Sequence, residues 1–274
     1  MDCGAQVISH LSLDLVGPGF AVVRGYAAGE SVRVLIDTGD FAPYAVLITP
    51  HLAARLKLQP QSPARCIHAS LGPGPVCFTP VSLSFRVGGL AAFHDKAAIS
   101  LQVGQIAARL GRRFEAVIGG EFLKSHRLTI DYEHRVATFD SPAPKGASIG
   151  FSALPAPVVV GEASVNGAGP FRFLVDTAAA DTIASSKIAE RARITAGAPT
   201  RLYGAGGNIP GALSTNDRIC VGKRCQSQMP VKIAELPQSI DLLGISIDGV
   251  LGVGFLAGVK LTIDYPAHRL WLER

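Results

Sequence analysis

The feature that most constrains this chain is that it repeats itself. Gly119 to Tyr132 reads GGEFLKSHRLTIDY, and Gly252 to Tyr265 reads GVGFLAGVKLTIDY, eight of fourteen positions identical without a gap. The likeness extends upstream, where Val34-Leu35-Ile36-Asp37-Thr38-Gly39 corresponds to Phe173-Leu174-Val175-Asp176-Thr177-Ala178. Self-similarity at both ends of so long a stretch means one supersecondary plan used twice. Between the copies, Ser141-Pro142-Ala143-Pro144-Lys145-Gly146 has the composition of a linker. The expected division is therefore residues 1–145 and 146–274, each of ordinary domain size.

Each copy reads as short strands with a little helix. Two strand-like runs precede each Asp: Phe20 to Arg24 and Val32 to Ile36, then Val158 to Val165 and Phe171 to Val175. Asn166-Gly167 opens a turn in the second pair. After each Asp comes a helix signal. In the first copy it is Thr49 as a cap with Pro50 at the first helical position, and in the second it is the Ser185-Ser186 pair. With 30 Gly, 18 Pro and few charged residues, the chain suits many strands joined by turns.

Charge and cysteine narrow the classes. The 26 Lys and Arg against 21 Asp and Glu give +5, scattered without a basic block, so nucleic-acid binding is not indicated. No apolar run reaches the roughly 20 residues of a membrane span. Cys220 and Cys225 fall opposite each other if Gly222-Lys223 is a hairpin turn, and Cys66 and Cys77 are symmetric about Leu71-Gly72. Both pairs read as cross-strand disulfides or as buried thiols, and Cys3 has no evident partner. No His sits at ligand spacing beside them, so no metal is expected. The N-terminus shows no leader. The paired cysteines favour a periplasmic or secreted protein whose leader has been removed over a cytoplasmic one.

Asp-Thr-Gly alone often marks only a turn. Here an apolar strand precedes the triplet in both copies, and Val117-Ile118-Gly119 or Val250-Leu251-Gly252 follows downstream. The combination resembles the aspartic peptidase superfamily, and the trailing Leu-Thr-Ile-Asp-Tyr strands look like the ends of bacterial retropepsin-like domains. The resemblance implies a mainly β fold: two tandem retropepsin-like β-barrel lobes related by a pseudo-two-fold axis, with short helices. It implies an aspartic endopeptidase acting on polypeptide as a monomer without cofactor, with Asp37 and Asp176 as catalytic pair. Two carboxyls roughly 3 Å apart cannot both ionise, so they share one proton and supply acid and base together.

The same resemblance assigns supporting roles. Thr38 and Thr177 would hydrogen-bond the opposite loop, and Gly39 would offer its N–H to a carboxylate. Ala178 departs from the pattern. If a positive φ is needed there, its methyl costs roughly 1–2 kcal/mol, and a non-catalytic peptide-binding module becomes the competing reading. Flaps over the substrate would be Tyr203, Gly204, Gly206 and Gly207 in the second copy, and the Ser70–Pro75 stretch with Gly72 and Gly74 in the first. Asp131 and Asp264 read as structural, whereas Asp217, Asp241 and Asp248 have no evident partner. Asp40, when ionised, would repel charge on the pair and raise its pKa, and neither Asp40 nor Ala179 offers a side-chain hydroxyl to a catalytic carboxylate.

Overall fold

The apolar runs ahead of each Asp form hairpins. A computed structural model describes residues 9–67, 72–92, 94–151, 154, 156–236 and 246–273. Phe20–Ala27 pairs with Glu30–Ile36 around Ala28-Gly29, and Val160–Val165 pairs with Ala168–Val175 around Asn166-Gly167. Both central residues have positive φ in each turn, 48° and 86° in the first and 50° and 81° in the second. This is the turn whose twist matches that of its strands. Asn-Gly announces the second, while the first places an alanine where glycine or asparagine is usual.

The second strand of each hairpin then meets a partner from far downstream. Glu30–Ile36 runs parallel to Ala116–Ile118, and Ala168–Val175 runs parallel to Gly249–Leu251. These short partners are buried on both faces, which is why they read as unbroken apolar triplets without alternation. Helices Pro50–Arg55 and Ser186–Arg191 begin where the sequence places them. Thr49 Oγ1 accepts from the Leu52 N–H at 3.1 Å and Ser185 Oγ from the Ile188 N–H at 3.4 Å.

The chain is mainly β, in three sheets. In the second half Val160–Val165 pairs with both Ala168–Val175 and Gly207–Val221, so six strands close on themselves into a barrel. In the first half the sheet runs from Arg65–Ile67 to Leu90–Ala92, and no pairing among the described residues joins those edges. The expectation of two like barrels is met by strand pairing only in the second half. The third sheet draws on both halves, in the order Ser9–Ser12, Val136–Phe139, Arg127–Asp131, Lys260–Asp264, Arg269–Glu273, Ile149–Gly150. At its centre the repeats pair with each other antiparallel, in register about Thr129 and Thr262. The two hydroxyls lie 2.9 Å apart.

That register puts Arg127 opposite Asp264 and Asp131 opposite Lys260. Arg127 binds Asp264 at 2.5 Å, and Asp131 binds His134 at 3.0 Å, so both repeated aspartates are structural. The Ser141–Gly146 stretch is tied to the same sheet: Arg127 donates to Ser141 O at 2.6 Å and Trp271 to Gly146 O at 3.1 Å. Asp217 accepts from Ser214 at 2.7 Å and from Asn166 at 3.0 Å, and Asp248 pairs with Lys187 at 2.7 Å. Both aspartates thus have partners that the sequence did not reveal: Asn166 of a turn and Lys187 of a helix lie far along the chain, and Ser214 lies three residues away on the same strand. Asp241 and Cys3 lie outside the described residues.

The cysteine registers are as expected. Cys66 faces Cys77 and Cys220 faces Cys225, each pair bonded with Cα atoms 4.0 Å apart. Each loop is short, with separations of 11 and 5 residues. Chain-entropy arguments then limit each crosslink to about 2–3 kcal/mol. A non-reduced digest should yield both crosslinked peptides, and reduction should lower the melting temperature by several degrees without abolishing the fold. Free thiols at all four positions in oxidised protein would contradict this pairing.

Candidate functional site

The site is built where the parallel strand pairs end. Asp37 donates its N–H to Ile118 O and Asp176 its N–H to Leu251 O, both at 3.0 Å. The backbone of each aspartate is thereby pinned at the lip of a buried strand pair. The next residue of each loop reaches across to the other half. Thr38 N–H donates to Thr177 Oγ1 and Thr177 N–H to Thr38 Oγ1, both at 3.1 Å. Thr38 Oγ1 donates to Val175 O and Thr177 Oγ1 to Ile36 O, both at 2.7 Å. Both threonines are fully buried, and these bonds satisfy the N–H and the hydroxyl of each.

This grip brings Asp37 and Asp176 together on the wall of one cleft, near enough for the charge on Asp176 to act on Asp37. Gly39 N–H donates to Asp37 Oδ1 at 3.0 Å. Asp176 Oδ1 takes two N–H groups, from Ala178 at 2.8 Å and Ala179 at 2.9 Å. Neither Gly39 nor Ala178 adopts a positive φ, so the conformational cost considered for alanine does not arise. Glycine at 39 is required for space instead, because a methyl there would collide with the Asp176 carboxyl. Ala179 has no hydroxyl, but its amide supplies the hydrogen bond to Asp176.

Both carboxyls face an open cleft yet are hemmed in on their other sides. Burial pushes Asp37 well above the usual carboxylate range. The charge on Asp176 adds to this and then that on Asp40, against the opposing N–H groups of Gly39 and Asp40. Burial likewise raises Asp176, opposed by the N–H groups of Ala178 and Ala179 and by the hydrogen bond with Asp37. Asp40 is a third carboxyl in the cluster. Its Oδ1 accepts from the Ala42 N–H at 3.1 Å, while its buried Oδ2 has no partner and abuts Gly119. Burial moves Asp40 from 3.8 to about 6. Its charge therefore develops only toward neutral pH.

Beneath the pair lie Tyr132 and Tyr265, the last residues of the repeated motif. Both are buried, and their hydroxyls have no hydrogen-bond partner among the described residues. Burial first, and then the nearby aspartates, push both phenols up so that they stay neutral.

Above the pair is a cavity of about 650 Å³. Its first-half wall includes Phe20, Phe78, Val103, Ile106 and Phe114, and its second-half wall Leu174, Ile183, Leu202 and Val250. Two hairpin tips meet over it. Pro199–Gly204 pairs with Gly207–Val221, closing at Gly204 opposite Gly207 with Ala205-Gly206 at the tip. Gly74 N–H donates to Gly206 O at 2.6 Å. Gly72 has a φ of 114°, and a side chain on it would collide with Gly206. Ser70 and Leu71 lie outside the described residues. Tyr203, on the second hairpin, is 65% exposed.

One element of the cleft escaped the sequence reading, the helix Leu101–Arg109, capped by Ser100 Oγ on the Val103 N–H at 3.3 Å. The signal was present: a serine followed by Val103, Ile106, Ala107 and Leu110 at helical spacing, then Gly111. Gln102 of this helix donates to Pro75 O at 3.2 Å and accepts from the Cys77 N–H at 3.3 Å, so the helix braces the first hairpin. Asp181, also on the cleft, pairs with Lys232 at 2.7 Å. Among the described residues no group of three or more His, Cys, Asp or Glu could hold a metal ion.

Comparison with known families agrees with this geometry in kind. A family model described as aspartyl protease matches residues 161–255, a stretch that takes in Asp176, Tyr203–Gly207 and Gly252. The match supports an aspartic peptidase family and, at that level, a peptidase hydrolase. No curated protein matches the chain.

Two substitutions test the energetics. Thr38→Val keeps the shape but orphans the Thr177 N–H and the Val175 carbonyl. It should cost about 2–4 kcal/mol in urea unfolding, and a loss below about 1 kcal/mol would show that the grip is not under load. Asp40→Asn tests burial of the third carboxyl. Because its folded pKa is raised, its stabilising contribution is complete below about pH 3.8 and is lost as pH rises through about 6. The Asn variant should therefore match the parent near pH 3.5 and exceed it by on the order of 2–3 kcal/mol near pH 7.5. Equal stability at both values would place Asp40 in contact with water.

Proposed function

We propose that the chain is an aspartic endopeptidase of the bacterial retropepsin-like type, with lobes 1–145 and 146–274 related by a pseudo-two-fold axis and Asp37 and Asp176 as its catalytic pair. The observation that carries this reading is the meeting of the two carboxyls through the reciprocal Thr38 and Thr177 bonds. One carboxyl comes from each copy, so a monomer would be complete. The second reading, a peptide-binding module without catalysis, rested on Ala178. That residue is free of backbone strain, and its N–H still reaches Asp176.

The two carboxyls meet like surroundings: each is opposed by two backbone N–H groups, from Gly39 and Asp40 at Asp37 and from Ala178 and Ala179 at Asp176. The resting pair shares one proton, and neither carboxyl is its fixed holder. The ionised carboxyl takes a proton from water, the oxygen attacks the peptide carbonyl, and the protonated carboxyl donates its proton to the carbonyl oxygen. The resulting gem-diol collapses as the carboxyl that took the water proton passes it to the amide nitrogen, which leaves as amine, while the other carboxyl recovers a proton from a gem-diol hydroxyl. The apolar cavity walls would hold side chains flanking the bond, and the segments bearing Gly72 and Gly74 in the first half and Tyr203, Gly204, Gly206 and Gly207 in the second would act as flaps over an extended polypeptide. The two disulfides point to an oxidising compartment, in keeping with a periplasmic or secreted protein. No helix among the described residues is long and apolar enough to cross a membrane.

Cleavage of a mixed peptide library should be abolished by Asp37→Asn or by Asp176→Asn alone, with the fold intact by circular dichroism. A pepstatin-type transition-state mimic should block the parent. Because burial raises both carboxyls, the singly protonated pair persists to higher pH. The activity optimum should then lie at about pH 4.5–6.5, above the window set by the pepsin values of about 1.5 and 4.7. Full turnover by either variant would refute the shared pair, and an optimum below about pH 3 would refute the role of burial.

A further inference from the structure

The charged groups on the cleft are unevenly provided for. Asp37, Asp40 and Asp176 form the central cluster, and Asp181 is neutralised by Lys232. The remaining charged side chain on the cavity wall is Arg109, at the C-terminal end of the helix Leu101–Arg109. It is exposed, and no carboxylate among the described residues comes within ion-pairing distance of it. It is not loose, however. Its guanidinium carbon sits 5.2 Å from the centre of the Tyr203 ring, on the hairpin that closes the cavity from the other half.

Stacking engages the face of a guanidinium and leaves the N–H donors along its edge free. The ring therefore orients the fork and limits the rotamer freedom that a binding partner would otherwise have to overcome. On the cavity side the same helix presents Val103, Ile106 and Leu110, so the cation stands at the border of an apolar wall. A carboxylate arriving there would meet two parallel donors in a partly desolvated setting, where charge-assisted pairs are strongest.

We propose that Arg109, held by Tyr203, is a specificity-determining residue that receives a carboxylate of the bound peptide at one end of the cleft. This rests on the peptidase reading above. Such a peptide has apolar side chains near the scissile bond and an acidic group a few residues away. The carboxylate has two sources, an internal Glu or Asp or the peptide's own C-terminus. Closing the hairpin that bears Tyr203 completes the acid-binding corner, so recognition and closure are coupled.

The experiment uses peptides with an apolar pair at the cleavage point and a single Glu moved through the flanking positions. Each has a Gln counterpart, and each is made with a free and an amidated C-terminus. Assays run near pH 6 in low salt, where Glu is ionised. For the parent we expect kcat/KM to be about fivefold higher with Glu than with Gln at one position, or with the free acid than with the amide. Which contrast appears identifies the source. In Arg109→Gln the ratio should fall to about one, and in Arg109→Glu a Lys peptide should become the preferred one. The same ratios are read as Kd with uncleavable reduced-bond analogues, so that absence of turnover would count against the catalytic reading alone and leave the affinity ratio to decide Arg109. Equal affinity for the Glu and Gln analogues and for free and amidated ends, or a preference that survives Arg109→Gln, would overturn the proposal.

Discussion

The structure depends on two side-chain oxygens exchanging places across the halves of the chain. Thr38 and Thr177 each accept the other's N–H and each donate to the carbonyl that precedes the opposite aspartate. No apolar residue could do this, since burying two loop backbones against each other without such partners would leave four polar groups unpaired at about 1–3 kcal/mol apiece. The carboxyls are desolvated and repel when both are charged, so the loops need another means of being held together. Their proximity is maintained by the residue beside them and, below that, by the central sheet where Thr129 meets Thr262.

What the sequence disclosed followed from that symmetry. A repeat of Leu-Thr-Ile-Asp-Tyr is legible because its strand must pair with its own copy, which constrains both copies alike. The Asp-Thr loops are legible for the same reason, since each must complement the other. The cysteine registers were readable because a hairpin turn fixes who faces whom over a few residues. Features outside the repeat were less visible. The helix Leu101–Arg109 has a cap and a period, but no counterpart against which to recognise it. Asn166, which binds Asp217, and Lys187, which binds Asp248, come from elements dozens of residues away, and no local pattern encodes them.

One error of reading is instructive. Ala178 looked like damage because glycine in such loops is usually valued for its φ. Here φ is unexceptional at both 39 and 178, and the constraint on 39 is the volume beside the Asp176 carboxyl. A steric requirement depends on what stands opposite, so it can differ between two copies of one loop, whereas a conformational requirement is intrinsic to the loop and would have applied to both.

That distinction bears on why the two halves share one chain. In an assembly of identical halves, any residue beside one carboxyl also stands beside the other, and Asp40 or Ala178 would appear twice. Two acids at the position of Asp40 would raise the charge cost on both members of the pair, and two methyls at the position of Ala178 would bring one against Asp176. Joined in one polypeptide, each copy keeps its own version: Gly39 with Asp40, and Ala178 with Ala179. The acid then stands in one loop only, where its charge raises Asp37 as pH climbs through about 6. Unequal environments push apart the tendencies of two chemically identical groups, and a fused chain can hold such a difference where an exact two-fold axis would erase it.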